Sequence, residues 1–180
     1  MVAIAAMSEL DARCIQSFRS WLRSLPGDAE LLAQQLDDES LPEDVRRPLA
    51  GALNYLFKSL DLIDDGIEGL GYLDDAFVLR VAAGHAGAGV AALAGLREDS
   101  ALIAEFLGAL APRFERFVVS LRESTVRGRS VDALLRESSV RKELLADVAA
   151  WGARYEKPHL SDDDKNLVKL RSFLSAKLPA

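Results

Sequence analysis

The chain has 180 residues and a formal net charge of -6, with 22 Lys and Arg residues against 28 Asp and Glu residues. Apolar residues make up 49% of the chain, which is ordinary for a globular protein with a buried core. The acidic balance argues against a protein that mainly binds nucleic acid or anionic membranes, because both need a basic surface. No uncharged apolar run approaches the roughly 18 residues that a membrane-spanning helix needs.

The first forty residues show helical spacing of apolar side chains. Apolar residues recur every three or four positions over residues 10–25, which predicts one buried helix face. Pro26 and Gly27 are predicted to end this helix, because proline lacks a backbone donor and glycine has low helix propensity. A short second helix is predicted for residues 28–37.

The next predicted elements are a helix and a glycine-rich loop. Pro42 suits the first turn of a third helix, whose apolar side runs over residues 45–60. Residues 61–73 carry three glycines and break the helical pattern, which predicts an ordered loop.

A fourth helix is predicted from about Asp74 to about Leu96. Gly84, Gly87 and Gly89 would lie inside it, at a cost of about 1 kcal/mol each relative to alanine. We expect close packing against a neighbouring helix to offset that cost, because small residues let backbones approach.

The C-terminal half continues the helical pattern. Residues 99–122 form the clearest amphipathic stretch, with a kink predicted at Pro112. A basic turn follows at residues 125–129, and Ser130 is placed to cap the next helix. Helical spacing then persists to about Lys177.

These elements predict an all-α fold, a compact bundle of about six or seven helices in a single domain over residues 1–180. A central helical hairpin would occupy about residues 45–96, and a C-terminal helical extension would occupy about residues 99–178. The opening residues lack the basic start of a secretory signal, and the single Cys14 cannot form an internal disulfide. We therefore expect a cytoplasmic protein.

One acidic stretch stands out from ordinary turn composition. Six acids and no bases lie between Ser59 and Leu79, so this window alone carries a charge of -6. Its sequence over residues 55–79 resembles the signature of the YkvA-like family, a bacterial domain of unknown function. Three family prolines are replaced by Ser59, Asp64 and Glu68. The matching positions are Tyr55, Asp61, Ile63, Asp65, Ile67, Gly71, Tyr72, Asp74 and Asp75. The resemblance implies a helix–turn–helix hairpin and no defined activity.

Three interpretations of the acidic stretch remain open at this point. Asp61, Asp65, Asp74 and Asp75 could surround a hard cation such as Mg²⁺, Mn²⁺ or Ca²⁺, which bind oxygen ligands. Alternatively, Asp74 or Asp75 caps the fourth helix and Asp61 accepts hydrogen bonds from amides of the turn. In the third interpretation, the stretch is a docking surface for a protein partner.

Other candidate residues are isolated. Cys14 lies on the apolar face of the first helix and is predicted to be a buried, inert thiol. His85 is predicted to be a core or boundary residue. Residues 113–142 carry a net charge of +4, which predicts a solvated helix face or a surface that docks on the acidic turn, within the chain or from a second copy.

The sequence contains no recognisable catalytic set. Its segregated acidic and basic segments favour a non-enzymatic cytoplasmic interaction or scaffolding module, able to bind a protein partner or itself. The alternatives are a divalent-metal enzyme or sensor at the acidic stretch, and a peripheral membrane protein attached through the helix over residues 73–96. No nucleic-acid partner is expected, because exposed aromatic residues are not interleaved with the arginines.

Overall fold

The computed structural model describes residues 6–180 and confirms the all-α fold, with 71% of the residues helical. The first five residues, which belong to the stretch compared with a secretory signal, lie outside the described residues. Short 3₁₀ turns cover Ala91–Leu93, Gly108–Leu110 and Leu121–Glu123. A small antiparallel hairpin pairs β1 (Thr125–Val126) with β2 (Arg129–Ser130). The helices are α1 (Glu9–Asp37), α2 (Glu43–Tyr55), α3 (Leu73–Ala86), α4 (Ala94–Leu107), α5 (Ala111–Ser120), α6 (Val131–Arg136), α7 (Ser138–Arg154) and α8 (Lys165–Lys177).

Helix α3 lies at the centre of the bundle and packs against α1, α2, α4 and α5. Its Phe77 is fully buried, and the ring centroid lies 4.9 Å from that of Phe18 and 5.9 Å from those of Trp21 and Phe106. These edge-on aromatic contacts bury a large apolar area. Nearly every residue of α3 is buried, so this helix forms part of the core.

The prediction that Pro26 and Gly27 end the first helix is wrong. Helix α1 continues through both residues to Asp37. Proline leaves the carbonyl of Leu22 without its usual helical donor, because that donor would be the amide of residue 26. The hydroxyl of Tyr155, at the end of α7, donates to this carbonyl at 2.7 Å. A tertiary hydrogen bond thus replaces the missing local one.

We expect Tyr155→Phe to lower the free energy of unfolding by about 1–3 kcal/mol, because the buried Leu22 carbonyl would lose its donor. Urea unfolding followed by circular dichroism measures the change. Tyr72→Phe is the matched control, since the Tyr72 hydroxyl has no hydrogen-bond partner within residues 6–180. Equal losses in the two variants would contradict this account of the proline.

The predicted length of the third helix is also wrong. Helix α2 ends at Tyr55, and the side chain of Leu60 is 82% exposed rather than packed on an apolar face. The chain leaves the helix through successive turns, in which the amides of Phe57 and Lys58 donate to the carbonyls of Asn54 and Tyr55.

Two glycines divide the predicted central helices. Helix α3 ends before Gly87 (φ +87°), and α4 ends before Gly108 (φ +53°), backbone conformations that favour glycine. The predicted close packing is wrong for Gly87 and Gly89, where a Cβ atom would meet nothing within 4 Å. At Gly84, which stays inside α3, a Cβ atom would lie 3.6 Å from the hydroxyl of Ser100 on α4, an ordinary packing distance. The predicted kink at Pro112 is also wrong, because the chain already breaks at Gly108 and Pro112 is the second residue of α5, in its first turn.

The basic turn is the tip of the β1–β2 hairpin. Arg127 and Gly128 both have positive φ, as a tight two-residue hairpin turn requires. The side-chain amide of Asn54 on α2 donates to the carbonyl of Arg129 at 3.0 Å, which anchors the hairpin. The predicted capping by Ser130 is confirmed, since its hydroxyl accepts from the amide of Ala133 at 3.0 Å.

Among residues 6–180, no helix combines the length and the apolar character needed to cross a bilayer.

Candidate functional site

The acidic turn, defined here as residues 61–75, joins α2 to α3 and splits its acids between surface and core. Asp64, Asp65 and Glu68 are exposed, and Asp61 is partly buried. Asp74 and Asp75 lie in the first turn of α3 with exposures of 0% and 2%. A buried carboxylate is costly unless hydrogen bonds or protons compensate for the lost water.

Tyr55 connects the buried part of the turn to the end of α2. Its hydroxyl donates to Oδ2 of Asp74 at 2.5 Å and accepts from the amide of Leu62 at 2.8 Å. The same Asp74 oxygen accepts from the amide of Ile63 at 3.3 Å. One tyrosine and one aspartate therefore fix the path of the turn across the end of the hairpin.

The remaining carboxylate oxygens have no such support. Oδ1 of Asp61, Asp74 and Asp75 is buried, with no hydrogen-bond partner within the described part of the chain. Burial raises the pKa of Asp74 to about 6, although the hydrogen bond from Tyr55 acts in the opposite direction. Burial also raises the pKa of Asp61 to about 7, with the charge of Asp74 adding to it and that of Lys58 opposing it.

Asp75 is the third buried carboxyl of the acidic turn. Burial and the neighbouring charges of Asp74 and Asp61 raise its pKa well above the ordinary value. Near neutral pH this group of carboxyls therefore holds protons instead of carrying its full negative charge.

The capping interpretation is wrong for α3. The N-cap residue is Tyr72, in the left-handed region at φ +68°, and no side chain makes a capping hydrogen bond there. Asp74 instead accepts from an amide of the turn, a role that was expected for Asp61. Asp74 and Asp75 do lie in the first helical turn, where negative charge is favourable to the helix dipole.

The four candidate metal ligands do not form a ready cation site. Within residues 6–180, no group of three or more His, Cys, Asp or Glu side chains is arranged to hold a metal ion. Asp61, Asp74 and Asp75 share the interior of the turn, whereas Asp65 lies on its outer side.

The outer half of the turn is folded tightly onto its own backbone. A Cβ atom on Gly71 would overlap the carbonyl of Asp65, so a larger residue cannot occupy this position without moving the loop. The next residue, Tyr72, packs its ring against Trp151 and Tyr155 at centroid distances of 6.2 and 5.1 Å. Gly71 and Tyr72, which match the family signature, therefore have structural roles in this turn.

A cleft of about 440 Å³ lies on the other side of Tyr55, between the chain after α2 and the β1–β2 hairpin. We call it the hairpin cleft. Its lining carries two cations and no acid: Tyr55, Phe57, Lys58, Ser59, Leu60, Leu121, Ser124, Thr125, Val126 and Arg127. The hydroxyl of Ser124 is buried without a partner in the described structure.

Most other cations of the basic segment 113–142 are used inside the protein. Arg129 pairs with Asp147, and the buried Arg141 pairs with Asp37 and Glu39. Arg113 donates to carbonyls at the C-terminal end of α8. Within residues 6–180, none of these cations forms an ion pair with the acidic turn.

Cys14 and His85, the two isolated candidates, lie in surroundings that favour a structural role. Cys14 is fully buried, and burial raises the pKa of its thiol to about 11, so little reactive thiolate exists at neutral pH. Nε2 of His85 lies 2.5 Å from Oε2 of Glu115, which joins α3 to α5.

The sequence analysis identified the acidic turn but did not predict the hairpin cleft beside it. Its two walls are more than sixty residues apart in the chain. In addition, Leu60 was predicted to lie on the apolar side of a helix, whereas the structure exposes it at the cleft. The only signal in the sequence was a basic turn with Gly128, which indicated neither the hairpin nor the segment that it faces.

Comparison with known proteins gives one match. No curated protein and no solved structure matches the chain. The acidic turn and the helices on both sides of it lie where a family model matches, and the YkvA-like resemblance is consistent with this partial match. Residues 48–80 match the family described as "Protein of unknown function (DUF1232)".

Proposed function

We propose that the protein is a non-enzymatic interaction module that docks an acidic peptide segment of a protein partner in the hairpin cleft. The observation that carries this proposal is one cleft that combines the exposed Leu60 with Lys58 and Arg127, two cations that form no ion pair within residues 6–180. The single free Cys14 supports a reducing cytoplasm as the proposed compartment.

The charge of the cleft favours an anionic ligand. Lys58 lies 5.7 Å from the ring centroid of Phe117, and the guanidinium of Arg127 lies 5.1 Å from that of Phe57. The aromatic rings hold both cations at the cleft wall without neutralising them. Neither cation pairs with an acid in the described part of the chain, so both remain available to carboxylates.

The apolar part of the cleft favours a peptide that also carries aliphatic side chains. Leu60 is 82% exposed. Phe57 and Val126 are nearly buried, and their small exposed parts line the cleft. Docked segments gain most of their affinity from a few apolar side chains that become desolvated beside polar contacts.

Both walls of the cleft are held in place before any ligand binds. The Tyr55 hydroxyl fixes the chain at Leu62, and Asn54 anchors the hairpin through the Arg129 carbonyl. A preformed cleft avoids part of the entropy cost of ordering loops on binding.

Fluorescence anisotropy with a labelled peptide of alternating Glu and Leu residues tests the proposal. We expect saturable binding that weakens with salt, and at least about tenfold weaker binding to Lys58→Glu. A peptide in which Gln replaces every Glu, and the variant Lys157→Glu on the exposed chain after α7, are the controls. Equal binding of the Glu and Gln peptides would rule out the proposed charge recognition.

The role of Leu60 is tested separately from folding. Because its side chain is 82% exposed, Leu60→Ser is expected to change the free energy of unfolding by less than about 0.5 kcal/mol. The same substitution is expected to weaken binding of the Glu–Leu peptide several-fold. Unchanged affinity would show that Leu60 is not part of the docking surface.

A further inference from the structure

We infer that the segment docked in the hairpin cleft is the acidic turn of a second copy of this chain, so that the protein forms a two-fold symmetric dimer. This inference rests on the proposed function of the cleft. Two adjacent surfaces of opposite charge carry it, because within residues 6–180 neither the cleft cations nor the exposed acids of the turn form a direct ion pair.

The exposed part of the acidic turn has the chemistry that the cleft favours. Asp64, Asp65 and Glu68 point to solvent, and the aliphatic Ile67 beside them is only partly buried. Within residues 6–180, none of the three acids forms an ion pair. The turn therefore offers carboxylates and one aliphatic side chain on a short, structured segment.

The position of the two surfaces in the chain makes them self-complementary. Asp64 of the turn follows Leu60 of the cleft by four positions in the chain, a distance of at most about 14 Å. When a positive surface lies beside a negative one, rotation by 180° brings each onto its opposite in the second copy. Both contacts then form at once, and each copy supplies one cleft and one turn.

The same arrangement accounts for the exposure of Leu60. This residue lies between the cleft cations and the exposed acids along the chain, so a two-fold contact places it near the symmetry axis. There it would meet Leu60 of the other copy or the edge of the cleft, and its 82% exposed side chain would become buried.

A dimer built mainly on exposed ion pairs is expected to be weak and sensitive to salt. Sedimentation velocity of the full chain at low salt should therefore show a monomer–dimer equilibrium that depends on protein concentration. The dimer fraction should fall as sodium chloride is added.

A charge-swap experiment tests the contact itself. The cleft variant carries Lys58→Glu and Arg127→Glu, and the turn variant carries Asp64→Lys and Glu68→Lys. Each variant alone should dimerise at least about tenfold more weakly than the natural chain, because like charges then face each other in both contacts. An equimolar mixture should recover the dimer, because every contact in the mixed pair is again between opposite charges.

The controls separate this inference from the proposed function. Arg154→Glu with Lys157→Glu changes the net charge as much as the cleft variant does and should leave the dimer intact. A natural chain that stays monomeric at low salt while binding the Glu–Leu peptide would overturn the dimer and leave the cleft proposal standing. Failure of the mixed variants to associate, with circular dichroism showing both folded, would also overturn it.

Discussion

Replacing Tyr55 with phenylalanine is expected to lower the free energy of unfolding by about 2–4 kcal/mol. The substitution removes one hydroxyl that makes two buried hydrogen bonds, to Oδ2 of Asp74 and from the amide of Leu62. Both partners are buried, and the amide would be left without an acceptor. Deletion of a buried hydroxyl usually costs less, because only one partner is lost.

The loss should also depend on pH. The hydrogen bond from Tyr55 opposes the rise in the pKa of Asp74, so its removal raises that pKa further. The destabilisation should therefore be larger at pH 8 than at pH 4, because at pH 4 Asp74 is protonated in the folded form of both the natural chain and the variant. Urea unfolding at the two pH values measures this difference, with Tyr72→Phe as the control that removes a hydroxyl without a hydrogen-bond partner among residues 6–180. A loss below about 1 kcal/mol at both pH values would contradict the role assigned to Tyr55.

Replacing Asp75 with asparagine is expected to stabilise the protein at pH 8, where the folded chain must either bury the charge of this carboxyl or bind a proton to it. Asp75 is 2% exposed, and burial with the charges of Asp74 and Asp61 raises its pKa. Asparagine has nearly the same shape and cannot ionise, so the cost of a buried charge disappears.

The direction of the pH dependence follows from the raised pKa values. Asp74 holds its proton in the folded chain up to a pKa of about 6, whereas an ordinary aspartate has a value of 3.8. Between these values the folded state binds more protons than the unfolded state, so the free energy of unfolding falls as the pH rises. For Asp74 this amounts to about 3 kcal/mol, and Asp61 with its pKa of about 7 extends the fall towards neutrality.

Melting temperatures of the natural chain and of Asp75→Asn between pH 4 and pH 8 test this. The natural chain should lose stability as the pH rises, and the variant should lose less of it. Asp64→Asn, which removes an exposed acid of the same turn, should follow the natural curve. If Asp75→Asn were less stable than the natural chain at pH 8, the carboxylate would be supported by contacts that outweigh its burial.

Local sequence rules predicted the helices well and their ends poorly. The spacing of apolar residues is a property of each segment alone, so it correctly indicated helix over residues 10–25 and the helical character of the C-terminal half. Pro26 shows where such rules fail: its effect on the helix depended on Tyr155, which is 129 positions away and donates to the carbonyl that proline leaves free. Gly87 shows the converse, because it ends α3 where close packing inside a helix was predicted. Gly108 likewise ends α4 inside a stretch that was predicted as one helix.

The candidate site shows the same division. Its acids and their link to a family signature could be identified from the sequence, because both depend on residue type and spacing. The burial of Asp74 and Asp75 could not, since it depends on α3 lying at the centre of the bundle. The hairpin cleft could not either, since its walls come from distant parts of the chain.

The sequence by itself determined that this protein is all-α and that its negative charge is concentrated in residues 61–75, because apolar spacing and local charge need no tertiary information. Only the tertiary structure decided which of those acids are buried with protons and which face solvent beside a cationic cleft. The physical reason is that hydration, and with it the charge state of each carboxyl, depends on the helices packed around the turn.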